Sequence, residues 1–129
     1  MLTQKGEESM KILTGGHRYE LENFENKDAD GQILQFIHKE KLPEAREYME
    51  IPVLSENEKY DESHLFTVRD GTTNEEVLAM MIDRMKFLQA KFPCRENAIV
   101  ITKLEESLMW LEKRTAERMA RGVEGKCEA

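Results

Sequence analysis

The residues best suited to chemistry in this chain are cations placed where anions are already favoured. Arg95 stands directly after a Phe92-Pro93-Cys94 turn, at the start of a long helical pattern. A helix start leaves backbone N–H groups without acceptors, and the macrodipole adds partial positive charge there. A phosphate is therefore stabilised before any side chain acts. A guanidinium adds a planar, two-pronged donor at the same spot. Asn97, Thr102 and Lys103 follow on the next turns with further polar groups, and helical geometry puts Thr102 near the face of Arg95. Upstream, Arg18 and Tyr19 set a cation beside an aromatic plane on which a base can stack. Each of these has a plainer use. Arg95 can pair with a carboxylate, Tyr19 can be a half-buried strand residue, and Thr102 can fill a helix face. Lys113 and Arg114 can compensate the negative end of a helix.

Other chemistries lack their residues. His17, His38 and His64 are far apart and have no HxxxH or HExxH spacing, so no metal site is expected and they read as surface or strand-edge histidines. Cys94 precedes a helix start, where a thiolate is stabilised, but no partner base forms a signature with it. Glu105 and Glu106 read as charges on a solvated helix. There is no Walker loop and no GxGxxG, and Gly15-Gly16 reads as a turn. The expectation is anion capture without catalysis, cofactor or metal. A hydrolase or nuclease ranks last because it has neither a metal nor a nucleophile signature.

At 129 residues the chain has room for one domain with a small appendage. A net charge of −7, with 35% charged residues, argues against wrapping polymeric nucleic acid, which needs a concentrated positive surface. No apolar run approaches the ~18 residues of a membrane span, and the first residues hold no secretory apolar core. Cys94 and Cys127 form no CxxC and read as free thiols of a reducing cytoplasm.

The elements that must position these groups are clearest in the C-terminal half. Thr73 and Glu76 form a capping-box pattern ahead of a stripe at Val77/Leu78, Met81/Ile82, Met85, Leu88 and Phe92. Pro93 interrupts the ladder. A second helix then carries Ile101, Leu104, Leu108, Leu111, Thr115 and Met119 on one line and stops at Gly122. Ile99, Val100, Met109 and Trp110 point off that line, a stripe too wide for one partner helix, so a homo-oligomer is expected. In the N-terminal half, residues 11–24 look extended around the Gly15-Gly16 turn, and residues 32–39 make the best strand. Residues 43–49 read as one or two helical turns, residues 51–61 as an acidic mobile loop, and residues 64–69 as a last strand. The fold class is thus α+β, mainly α: a long antiparallel helical hairpin preceded by two or three short strands. The expected organisation is a flexible N-terminus at 1–9, a small strand-containing region with an acidic insertion at 10–71, and a hairpin for oligomerisation and ligand binding at 72–129.

The hairpin resembles that of the phage anti-CBASS and anti-Thoeris nucleotide sponges, small proteins that sequester the cyclic nucleotides of bacterial immune signalling. The resemblance lies in the Met81–Met85 run MIDRM and in Arg95, Ala98-Ile99, Thr102, Leu104, Leu108-Met109 and Leu111, across residues 74–126. A shorter likeness covers Arg18-Tyr19-Glu20-Leu21, while residues 25–70 find no counterpart. The resemblance implies a homo-oligomer, often a hexamer, in the host cytoplasm. It implies cyclic dinucleotides bound between protomers, with cyclic trinucleotides or cyclic ADP-ribose-type messengers held elsewhere, all without cleavage. It also implies that Arg95 holds phosphates, that Tyr19 packs on a base, and that Thr102 and Lys103 line the site. The alternative is a structural or adaptor protein that oligomerises through the hairpin and meets a partner through its acidic loop.

Overall fold

The computed structural model describes residues 9–122. The expected flexible N-terminus, apart from Ser9, lies outside the described residues, as do Lys126 and Cys127. Five short strands come first: β1 (Lys11–Thr14), β2 (Arg18–Leu21), β3 (Gln32–Gln35), β4 (His38–Glu40) and β5 (Phe66–Arg69). A 3-10 helix (Glu44–Glu47) sits between β4 and β5, and α1 (Asn74–Lys91) and α2 (Arg95–Ala120) follow β5. The α+β class, mainly helical, is the one the sequence implies.

The hairpin forms where local chemistry demands it. Thr73 is extended, and its hydroxyl accepts the Glu76 N–H at 3.1 Å, satisfying one of the orphan donors of α1. Thr73→Ala should therefore lower stability by about 1 kcal/mol in a urea titration, with an unchanged m-value. At the turn, the Gln89 amide locks both sides of Cys94: its Oε1 accepts the Cys94 N–H at 3.0 Å and its Nε2 donates to the Cys94 carbonyl at 3.1 Å. Cys94 caps α2, its sulfur accepting the Asn97 N–H at 3.4 Å. Gly122 follows the last turn at φ +74°, a left-handed conformation that suits glycine, and its N–H closes onto the Met119 carbonyl at 3.0 Å.

Along α2 the side chains turned inward are Asn97, Ile101, Leu104, Leu108, Leu111, Thr115 and Arg118, in alternating steps of four and three. They meet Leu78, Ile82, Met85 and Gln89 of α1, the nearest thing to a core in this half. The expected line ran on to Met119, which is exposed; Arg118 takes the inner place and is only 6% exposed. The cause is the period. A strict heptad step from Thr115 is three residues, whereas continuing by four keeps the apolar residue and leaves the seam.

The N-terminal half departs from expectation in one respect. Residues 32–39 are not one strand. β1, β2 and β3 make an antiparallel sheet in that order, and β4 pairs with β5 in a second one. Between β3 and β4, Phe36 keeps its N–H on the His17 carbonyl at 2.7 Å and bridges Thr72, and Ile37 then turns to the entry of α1. The Thr72 N–H donates to the Gln35 carbonyl at 2.9 Å, and the Ile37 N–H donates to the Thr72 carbonyl at 2.8 Å. Strand-forming residues are therefore shared between two sheets, giving five strands among the described residues where two or three were expected. The helical turn expected at 43–49 is the 3-10 helix, with Ala45 fully buried. The acidic segment after it is irregular, but Ile51 is buried and its carbonyl accepts from the Arg46 guanidinium.

Gly71 makes the junction between sheet and hairpin. A Cβ there would stand 2.5 Å from the Gln35 carbonyl oxygen and 2.6 Å from the Phe36 carbonyl carbon, both backbone atoms that cannot swing aside. Gly71→Ala should cost about 1–3 kcal/mol and loosen the Thr72 bridge. Faster exchange of the Ile37 and Thr72 amides than of amides in mid-α1 would show it.

Candidate functional site

The junction borders an open cavity of about 610 Å³. One wall is the first sheet, giving Tyr19 from β2 and Leu34 from β3, with Phe36 just beyond. Alternation along β2 sends Tyr19 to this face, and the ring of Phe36 meets it edge-on at 6.0 Å. The second wall is the start of α1, from Thr73 to Glu75, whose first-turn amides carry the positive end of the dipole. The third is the last part of α2, with Leu111, Arg114 and Thr115. Thr115 donates to the Glu75 carboxylate at 3.2 Å and ties these two walls together. An aromatic face, a guanidinium and a helix start thus surround a space that can hold a nucleotide-sized anion.

Tyr19 is the sequence-nominated residue that lines this cavity. Arg18, its neighbour, faces the other side of the sheet, where its guanidinium donates to Gln35 Oε1 at 3.0 Å; the two do not form a joint cation and aromatic pair. Arg95 opens α2 as expected and is exposed, sharing its outward face with Thr102. Lys103, also exposed, lies 3.6 Å from the Glu106 carboxylate. Asn97 belongs to the inward line of α2, turned away from Arg95. From Arg95 to Leu111, where the cavity begins, α2 rises about 24 Å. Within one chain, Tyr19 and Arg95 therefore belong to different places.

Sequence reasoning read Arg114 only as a dipole-compensating residue, and the cavity gives it a second position. It also missed the histidines. His17, in the link from β1 to β2, and His38, on β4, are stacked with ring centroids 3.7 Å apart. His38 is 3% exposed and also meets the Tyr48 ring edge-on at 4.7 Å. Partial burial, and then the proximity of His38, push the His17 pKa below its ordinary value, with Glu40 pulling weakly the other way. No spacing rule reveals a pair twenty-one residues apart; they meet where the chain runs from β3 into β4 past the β1–β2 link, with the Phe36 N–H on the His17 carbonyl at 2.7 Å.

The fold is a two-helix antiparallel hairpin with a small sheet docked at its open end. Residues 56–116 match the family model described as Acb2/Tad1, hairpin domain. A curated relative is Thoeris anti-defense 1 of Bacillus phage SBSphiJ7, 61% identical over 57 residues. That match covers 43% of this chain and 40% of the relative, so it spans about two-fifths of the relative's length. Both matches support the resemblance to the anti-CBASS and anti-Thoeris sponge family over the hairpin. The family match begins at residue 56, so the stretch without a counterpart is shorter than the expected 25–70. The match includes Arg95, Asn97, Thr102 and Lys103 and leaves out Arg18 and Tyr19.

Proposed function

We propose that this protein is a phage-type anti-defence sponge: it binds a cyclic nucleotide immune messenger in the host cytoplasm and holds it without cleavage, blocking Thoeris or CBASS signalling. The observation that carries this reading is the cavity where Tyr19, Arg114 and the start of α1 converge, on a hairpin shared with a protein named as a Thoeris anti-defense. An aromatic plane takes a base or ribose face while amides and guanidinium take phosphate. Arg95 and Thr102, with Lys103 and Asn97 nearby, form a second anion-binding place at the far end of α2. Cyclic dinucleotides, cyclic trinucleotides and cyclic ADP-ribose-type molecules are the candidate ligands. Arg18 contributes indirectly, holding β3 against β2 beside Tyr19.

The sponge acts as a homo-oligomer, with a hexamer as the working stoichiometry, and residues 72–129 supply the interface and, together with Tyr19, the ligand groups. The support is an incomplete core. Among the described residues, the buried hydrophobic side chains are Ala45, Ile51 and Ile82, while Met80, Phe87, Met109 and Trp110 on the helices stand more than half exposed. Such faces are covered in stable assemblies. The same observation supports the second reading, an adaptor that uses the hairpin only to associate. Among the described residues no helix is long and apolar enough to cross a membrane.

Isothermal titration against a panel of cyclic di- and trinucleotides and cyclic ADP-riboses decides between them. A sponge binds at least one at micromolar concentration or tighter, and heat denaturation releases it chemically intact. An oligomer that binds none is the adaptor. A ligand recovered cleaved, with the loss prevented by chelator, is an enzyme's product and overturns both.

A further inference from the structure

The cluster of His17, His38 and Glu40 lies outside everything the messenger reading uses, although His17 touches the cavity wall. Three potential ligand atoms, one from each residue, lie within 4.8 Å of one another. Both imidazoles aim the same nitrogen at one oxygen: His38 Nε2 is 2.8 Å from Glu40 Oε2, and His17 Nε2 is 4.0 Å from it. Around a tetrahedral zinc ion, with bonds of about 2.0–2.2 Å, neighbouring ligand atoms stand roughly 3.3–3.5 Å apart. Each of the two measured separations is within about 0.7 Å of that value. We propose that His17, His38 and Glu40 form a binding site for a divalent transition-metal ion of the zinc class.

Donor chemistry sets the class. Two imidazole nitrogens and one carboxylate suit zinc, cobalt or nickel, whereas magnesium and calcium take oxygen donors. The rings now lie within 9° of parallel, so one ion cannot sit in both ring planes as they stand. His17 supplies the adjustment. Its side chain is 28% exposed, and rotation about its terminal torsion is soft, while buried His38 stays fixed between His17 and Tyr48. Three protein ligands leave a fourth position for water or another anion. The ion would also join the two sheets, because His17 borders β2 whereas His38 and Glu40 belong to β4. This inference does not rest on messenger binding.

The test uses the full chain carrying Cys94→Ser and Cys127→Ser, so that thiolates do not compete for metal; serine also preserves the cap on α2. Titration with zinc chloride should give one ion per chain at micromolar affinity or tighter, and magnesium chloride should give none. Cobalt should produce visible d–d absorption without a sulfur charge-transfer band. The melting temperature should rise by on the order of 10 °C when free zinc exceeds its Kd a hundredfold. His17→Gln and Glu40→Gln, checked for unchanged far-UV circular dichroism, should each weaken zinc by more than about a hundredfold, beyond what an outer-shell partner costs. Absence of stoichiometric zinc binding overturns the proposal. So does zinc binding that survives both substitutions, which marks a weak surface ion elsewhere.

Discussion

Ile82→Asp is expected to leave the hairpin unfolded at room temperature. Ile82 lies in mid-α1 on the line that faces α2 and is 9% exposed, one of three hydrophobic side chains buried to that extent among the described residues. Its loss removes about 1.5–3 kcal/mol of apolar burial. A carboxylate left there without a partner costs several kcal/mol more, and aspartate is a poor interior helix residue. The sum approaches the whole stability of a domain of this size, about 5–15 kcal/mol. Ile82→Val keeps shape and charge and should cost about 0.5–1.5 kcal/mol. Circular dichroism at 222 nm through a urea series measures both. A folded Ile82→Asp protein with a midpoint near that of Ile82→Val would mean that α1 and α2 do not hold each other through this seam.

How far the sequence could be read depended on the range of the information. The hairpin was legible because its signals are local. Thr73 caps the residue three along, Pro93 ends one ladder, and Gly122 supplies the left-handed stop. Arg95 could be placed at a helix start for the same reason. Its distance from Tyr19 could not, since nothing local says that the sheet docks beside the last third of α2 rather than its first. The division of residues 32–39 was hidden too. Period-two alternation marks extended chain but not its partner, and here Thr72, more than thirty residues away, takes the Ile37 N–H and donates to the Gln35 carbonyl. Arg118 could not be placed in advance, because arginine near a helix C-terminus normally serves the dipole, whereas this one occupies a seam position. The histidine cluster joins His17 to His38 and Glu40 across two sheets that do not pair with each other, beyond any motif.

That separation along α2 gives the second large expected effect, a pair of losses that do not overlap. Under the proposed function, a messenger bound in the cavity would stack on Tyr19 and place phosphate near Arg114. Removing a base–aromatic stack costs about 1–3 kcal/mol, so Tyr19→Ala should weaken that ligand by roughly 5- to 150-fold. Arg114→Ala removes a charge-assisted hydrogen bond, worth about 1.5–3 kcal/mol, and should act on the same ligand. Arg95→Ala lies about 24 Å along the helix and should leave that affinity within twofold. A second ligand, held by phosphate contacts at the start of α2, should show the reverse: sensitive to Arg95→Ala and indifferent to Tyr19→Ala. Titration of each variant with both ligands, at fixed salt because phosphate contacts are screened, reads the pattern directly. Two distinct sites predict additive, independent losses, since positions this far apart do not couple unless a ligand or an interface joins them. If Tyr19→Ala and Arg95→Ala weaken one and the same ligand to similar extents, the two ends of the hairpin meet. That geometry exists only when α2 of one copy reaches the sheet of another, and the single-chain cavity is then half of a composite pocket.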